Sequence, residues 1–199
     1  MIPILVLTAA LIVDPNPQVK LTHLEDQSFQ IDAAFVTEAK SSVIFNTLTD
    51  YEHHPDFLHA IKKVVQVQSI QQSPNITTKI IDEVISERVL IFTKTVHVRL
   101  EVLEMPDKQR IEFRDILGED FSKYEGYWQI TSQNGQQVVS HHIVFKPTFN
   151  VPNWLVNRLF KKDSRKLLDE VQEEIIKRTL TLEIYKTLLD ILKGLQVPK

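Results

Sequence analysis

The apolar positions of this chain change period more than once. From Phe29 to Ala39 (FQIDAAFVTEA) they alternate loosely with polar residues, as in a strand with one buried face, after a polar lead-in from Lys20 to Ser28 that holds a turn or a short strand. The period then lengthens. Ser41 or Ser42 caps a helix with Val43, Phe45 and Leu48 on its inner face, and Asp50 caps a second short helix through Pro55, Phe57 and Leu58. From Ile61 strand-like stretches follow: IKKVVQVQSI, TTKIIDEVISERVL, FTKTVHVRLEVLEM, RIEFRDIL, KYEGYWQIT and QVVSHHIVFKP. Breaks fall at Ser73 to Asn75, Pro106 to Lys108, Gly118 to Asp120 and Asn134 to Gly135, spaced as hairpin turns are, and Asn-Gly is the strongest short turn signal in the chain. No helical pattern separates these strands, so they predict an antiparallel meander and not a parallel sheet.

A helical period takes over from Val151 to Thr181. Leu155, Leu159, Leu167, Val171 and Ile175 recur at four- or eight-residue steps, flanked by Val156, Phe160, Leu168 and Ile176, and no Gly or Pro follows Pro152 in the segment. Asp163 and Ser164 interrupt this stripe. A long amphipathic helix that follows strands lies against their sheet, and two polar side chains in its inner face predict a cavity there. The pattern continues through Leu182, Tyr185, Leu188, Leu189 and Leu192 until Gly194 and Pro198 end it. A single helix from Pro152 to Lys193 would be about 63 Å long at 1.5 Å per residue, more than a small domain's diameter. The tail therefore predicts a kink, a fold-back near Thr179 to Thr181, or a protruding segment that meets a membrane or a partner.

Composition narrows the function classes. With 199 residues, 43% apolar and 25% charged, the chain suits one domain with appendages. A formal charge of −3 supplies no basic field for nucleic acid. Cysteine is absent, which excludes disulfides, thiolate metal sites and thiol nucleophiles, and none of the four glycines lies in a phosphate-cradling motif. Residues 1–18 are apolar for a dozen positions and then stop at Asp14, Pro15 and Pro17, too short for a spanning helix of about 20 residues. They read as a signal or membrane-anchor segment without a basic n-region, with a buried strand or a mis-chosen start codon as alternatives. The expected division is 1–18 as that segment, 20–181 as the folded domain and 182–199 as a helical extension. Export to a periplasmic or membrane-associated location is the matching expectation, with the cytoplasm as the alternative.

Three segments carry a family resemblance: TLTDYEHHPDFLHAIKKVVQV at 47–67, YEGYWQI at 124–130 and FKPTFNVPNWLVNRLFKKD, which leads into the last helix. With this order of elements, the chain from about Phe29 to Arg178 resembles the START/Bet v 1-like (SRPBCC) superfamily, and within it the polyketide cyclase/dehydrase and coenzyme Q-binding START-type domains. The resemblance implies an α+β helix-grip fold: a curved antiparallel sheet wrapped around a long C-terminal helix, with two short helices after the first strand. It implies a cavity between sheet and helix, with the loop holding Tyr51, His54 and Phe57 at its mouth. Matching QVVSHHIVFKP to the family pattern puts Val139, His141, Ile143 and Phe145 on the concave side and His142 outside.

Candidate chemistry is sparse. His53, His54 and His59 show no recognised metal-ligand spacing and read as an exposed polar loop, a gate before a metal site. His141 and His142 are adjacent on a strand and point to opposite faces. His141 and Asp163 are the only candidates for an acid/base role, each with a satisfied core group as the simpler reading; Arg114 or Lys146 would be the partner for an inward Asp163. The expected lining is Phe113, Tyr124, Trp128, Val139, His141, Phe145, Leu155, Leu159, Asp163 and Leu167, although aromatics at period two are more often core than ligand box. Gly126 falls where the sheet must bend. No GxSxG, HExxH or paired-carboxylate motif appears, and no cofactor is implied. Three functions follow: non-catalytic binding or transfer of a lipid, quinone or polyketide-like molecule, an aromatase/cyclase-type enzyme using the same cavity, or an interaction domain with a residual cavity.

Overall fold

The computed structural model describes residues 16–89, 92–149 and 153–194, with the side chains of 87–94, 153–159 and 194 left out. The polar lead-in contains strand β1 (Gln18–His23). The loose alternation becomes β2 (Phe29–Thr37), whose odd-numbered residues are buried and whose even-numbered ones are half-buried. Helix α1 (Ser41–Leu48), a 3₁₀ turn at Tyr51–His53 and the single turn α2 (His54–Phe57) form the interruption. The strands β3 (Ile61–Ser73), β4 (Ile76–Val89), β5 (Phe92–Met105), β6 (Arg110–Asp115), β7 (Phe121–Gln133) and β8 (Gln136–Pro147) follow, and helix α3 (Asn153–Gly194) is the last described element.

All eight strands form one antiparallel sheet in the order β1-β2-β8-β7-β6-β5-β4-β3. Consecutive strands pair as hairpins from β3 to β8, and β8 then returns to lie beside β2. The sheet wraps α3, giving the α+β helix-grip fold. Asn134 and Gly135, at φ 51° and 82°, make the turn between β7 and β8, as expected of an Asn-Gly hairpin. Gly126 is required for a different reason: a Cβ there would collide with the His142 carbonyl and the Phe113 ring, because β7 passes very close to β8 at this point.

Two caps differ from expectation. Lys40 is the residue before α1, with no side-chain cap, and its carbonyl accepts from the amides of Val43 and Ile44. Asp50 precedes the 3₁₀ turn, but its carboxylate accepts from His53 Nδ1 at 2.7 Å and pairs with Arg178 Nη1 at 2.9 Å. A tertiary ion pair has taken the side chain that local sequence assigned to a helix start.

Helix α3 is uninterrupted over its 42 residues. Leu168, Val171 and Ile175 are fully buried in the core, and Phe160 packs on Phe145 with ring centroids 4.5 Å apart. Burial of each such side chain contributes about 1.5–3 kcal/mol. Ile176, expected on the flank of the stripe, is exposed. Beyond Arg178 the helix leaves the sheet: every described side chain from Leu180 to Lys193 is exposed. The tail thus takes the protruding course.

Candidate functional site

A cavity of about 110 Å³ lies between the sheet and the first half of α3. Alternation on the strands delivers its walls: Ile111 and Phe113 from β6, Tyr124 and Trp128 from β7, His141 from β8, Leu100 and Val102 from β5, and Glu83 from β4. Helix α3 contributes Leu167 and Val171, one turn apart on the stripe. The interruption supplies the remaining side, with Leu48 from α1 and Tyr51, His54, Phe57 and Leu58 from the turn and α2.

Most of this wall is apolar, but several polar groups are buried in it. His141 is stacked on Trp128, with ring centroids 4.1 Å apart, and lies near Phe113 at 6.0 Å. Its Nδ1 has no hydrogen-bond partner, and burial lowers its pKa to about 3, so the ring is neutral at pH 7. Glu83 is buried with burial as the sole cause of its shift, which raises its pKa to about 7. Burial also pushes up the Tyr124 phenol, assisted by the charges of Glu83 and Asp115. The Tyr51 hydroxyl is buried beside Glu104 without a well-formed hydrogen bond, and burial followed by the Glu104 charge raises its pKa. Glu104 is itself paired with Lys79, whose Nζ is 2.9 Å away. His54, which also lines the cavity, has its pKa lowered to about 4 by burial.

The segment that carries Tyr51, His54 and Phe57 is fastened to α3 at two points. His59 Nδ1 lies 2.6 Å from Glu170 Oε1, and its backbone amide donates to the other carboxylate oxygen. At the far side Arg178 links Asp50 to Glu174, donating from Nε to Glu174 at 2.8 Å. The segment between these fastenings, Tyr51 to Leu58, forms one wall of the cavity.

The expected site residues separate accordingly. Phe113, Tyr124, Trp128, His141 and Leu167 line the cavity, as do Tyr51, His54 and Phe57. Val139 and Phe145 are on the same face but belong to the packed core away from it. The side chains of Leu155 and Leu159 lie outside the described residues. Asp163 and Ser164 are half-buried, and neither lines this cavity, which opens one turn further along α3 at Leu167. Of the partners expected for Asp163, Arg114 pairs with Glu101 on the outer face, and Lys146 donates to the Asp26 carbonyl. His142 is on that outer face too, 2.7 Å from Asp32.

Sequence reasoning missed Glu83. Its signal was the period-two set Ile81, Glu83, Ile85 on β4, where a carboxylate occupies an inward position between two isoleucines. A larger depression of about 620 Å³ on the outer face, near Arg110, Glu112 and Arg114, is an open trough whose charges pair with each other. The smaller cavity, with its mostly apolar lining between sheet and helix, is the better candidate despite its size.

Known structures share this architecture. The STAR-related lipid transfer protein from Xanthomonas axonopodis aligns with a TM-score of 0.62 at 8% identity, covering 81% of this chain and 94% of that one. The Zhui aromatase/cyclase from a Streptomyces species aligns at 0.57 and 12% identity, covering 76% and 95%. A START superfamily protein from Mycobacterium smegmatis aligns at 0.57 and 15% identity, covering 77% and 98%. At these identities the likeness concerns the fold alone. No curated protein is similar enough in sequence to count as a match. A family model described as polyketide cyclase/dehydrase and lipid transport matches residues 37–172, more than half of the chain, and the protein belongs to this family within the START/Bet v 1-like superfamily.

Proposed function

We propose that the protein binds a hydrophobic small molecule, such as a lipid, a quinone or a polyketide-like ring system, in the cavity between sheet and α3, for carriage or presentation without chemical change. The observation that carries this reading is the wall itself: mostly aromatic and aliphatic side chains from six strands and the three α-helices surround a space with a few buried polar groups. An apolar cavity of about 150 Å³ is large enough for benzene. At about 110 Å³ this one takes the end of a ligand, and a larger one requires the Tyr51 to Leu58 wall to move. The ion pairs at Glu170 and Arg178 are the joints such a movement would strain or release.

The test is extraction of the purified protein with organic solvent, followed by mass spectrometry. A co-purifying apolar compound in near-stoichiometric amount is expected. A protein that carries nothing and takes up no apolar probe would contradict the reading. One observation favours a second reading, an aromatase/cyclase-type enzyme: the cavity holds a carboxyl, Glu83, whose pKa burial raises to about 7, and such a value suits general acid–base work. Conversion of a model poly-β-ketone by the wild type but not by Glu83→Gln would favour it over carriage. We also propose export, on the apolar run of residues 1–18; the N-terminal sequence of the mature protein tests this.

A further inference from the structure

We propose that the cavity selects ligands whose buried end is an uncharged oxygen, a hydroxyl or carbonyl, and that Glu83 and His141 are the residues that make this selection. The inference rests on the binding reading above and adds the charge and polarity of the ligand.

The charge balance of the wall is one-sided. Among the described residues that line the cavity there is a carboxyl group, Glu83, and no Lys or Arg. The nearby cations are engaged elsewhere: Lys79 pairs with Glu104 behind Tyr51, and Arg178 holds Asp50 and Glu174. A carboxylate or phosphate entering head first would lose its water, meet no cation and approach a second acid, and an unpaired buried anion is strongly disfavoured. An apolar end with no polar atom would also fit poorly, because it would leave His141 Nδ1 as a buried group without a partner.

A neutral oxygen answers both conditions. Burial keeps Glu83 largely protonated below pH 7, so its carboxyl can donate a hydrogen bond. Neutral imidazole offers one donor and one acceptor, and the Tyr124 hydroxyl, held protonated, is a further donor beside Glu83. The His141 ring is stacked on Trp128 and so is held in place to receive the ligand. Glu83 and His141 share no hydrogen bond, and the shift of each arises without the other, so both are free to engage a ligand.

Three probes of matched shape test this: p-propylphenol, p-propylbenzoate and propylbenzene, titrated calorimetrically into the full chain at pH 6. The phenol is expected to bind about tenfold more tightly than propylbenzene, the effect of one net hydrogen bond, and the benzoate more weakly than either. His141→Phe is expected to bring the phenol down to the affinity of propylbenzene. Glu83→Gln, which removes the acid while keeping a polar side chain, is expected to narrow the gap between phenol and benzoate. Benzoate binding as tightly as phenol to the wild type would overturn the proposal, as would a phenol preference that survives both substitutions. If propylbenzene binds and phenol gains nothing over it, the selection fails while the binding function stands. If none of the three binds, the binding reading falls as well.

Discussion

Helix α3 has two halves that obey the same local rules and meet different surroundings. Between Phe160 and Arg178 the inward positions Leu168, Val171 and Ile175 are fully covered by the sheet and α1. Between Leu180 and Lys193 the apolar side chains Leu182, Tyr185, Leu189 and Leu192 continue that seam at three- and four-residue steps, yet they are exposed, with Tyr185 at 62%. The polar residues of the second half, Glu183, Lys186, Thr187, Asp190 and Lys193, cluster on one side of the helix at 100° per residue. Both halves are therefore amphipathic. What differs is the sheet, and Arg178 marks where its cover ends, turning from the seam to Asp50 and Glu174. A hydrophobic stripe states that a helix has a face to bury, without stating how far its own domain reaches.

The comparison can be broken at its strongest point. Leu168→Ala and Ile175→Ala are each expected to cost about 2–5 kcal/mol in denaturant titrations, since both side chains are completely buried. A loss below 1 kcal/mol at both would mean that the sheet does not grip the first half as described.

The cavity wall facing that half gives the next effect. Glu83 has its folded pKa raised from 4.5 to about 7 by burial. Its protonated form favours folding, so this contribution is complete below pH 4.5 and is lost as pH rises through 7. Glu83→Gln should therefore be more stable than the wild type at pH 8 by about 3 kcal/mol, and the advantage should shrink toward pH 4.5. A pH-independent difference would place Glu83 in contact with solvent.

Arg178→Ala tests the boundary between the halves. Burial pushes the Glu174 and Asp50 carboxyls up, but the hydrogen bonds from Arg178, together with those from Lys177 and His53 respectively, outweigh it and hold both below 4.5 and 3.8. Their contribution is present above those unfolded values and is lost as pH falls through the lowered folded ones. The substitution is expected to cost about 1 kcal/mol at pH 7, because the pair is partly solvated, and almost nothing below pH 3. The smallest effect belongs to the second half: Leu188→Ala and Leu192→Ala should each change stability by less than about 0.5 kcal/mol. A cost above 1 kcal/mol at either would show that something covers this face.

Much of the fold was legible because a half-buried sheet writes its face into every second residue. In β8 the alternation put His141 and His142 on opposite faces, and the family resemblance made His141 the inward one, where it is buried. The position of the cavity was less legible. Asp163 and Ser164 drew attention because they break a stripe, yet a polar break at the edge of a helix's contact is tolerated by solvent. Glu83 was passed over because a glutamate in a charged strand looks ordinary until the neighbouring elements close over it. The caps failed for a related reason: Asp50 serves Arg178, 128 residues away in sequence, and no local pattern can report that.

The binding function can be tested most directly by filling the cavity. Leu167 lines it from α3 and is only partly buried, so Leu167→Trp adds volume there with little of the core to displace. Calorimetric titration of p-propylphenol at pH 6 into wild type and Leu167→Trp, with thermal unfolding to confirm that both are folded, is the decisive measurement. Saturable binding to the wild type and at least a tenfold loss in the folded variant are expected. Equal binding to both would place the ligand elsewhere and remove the cavity from the function.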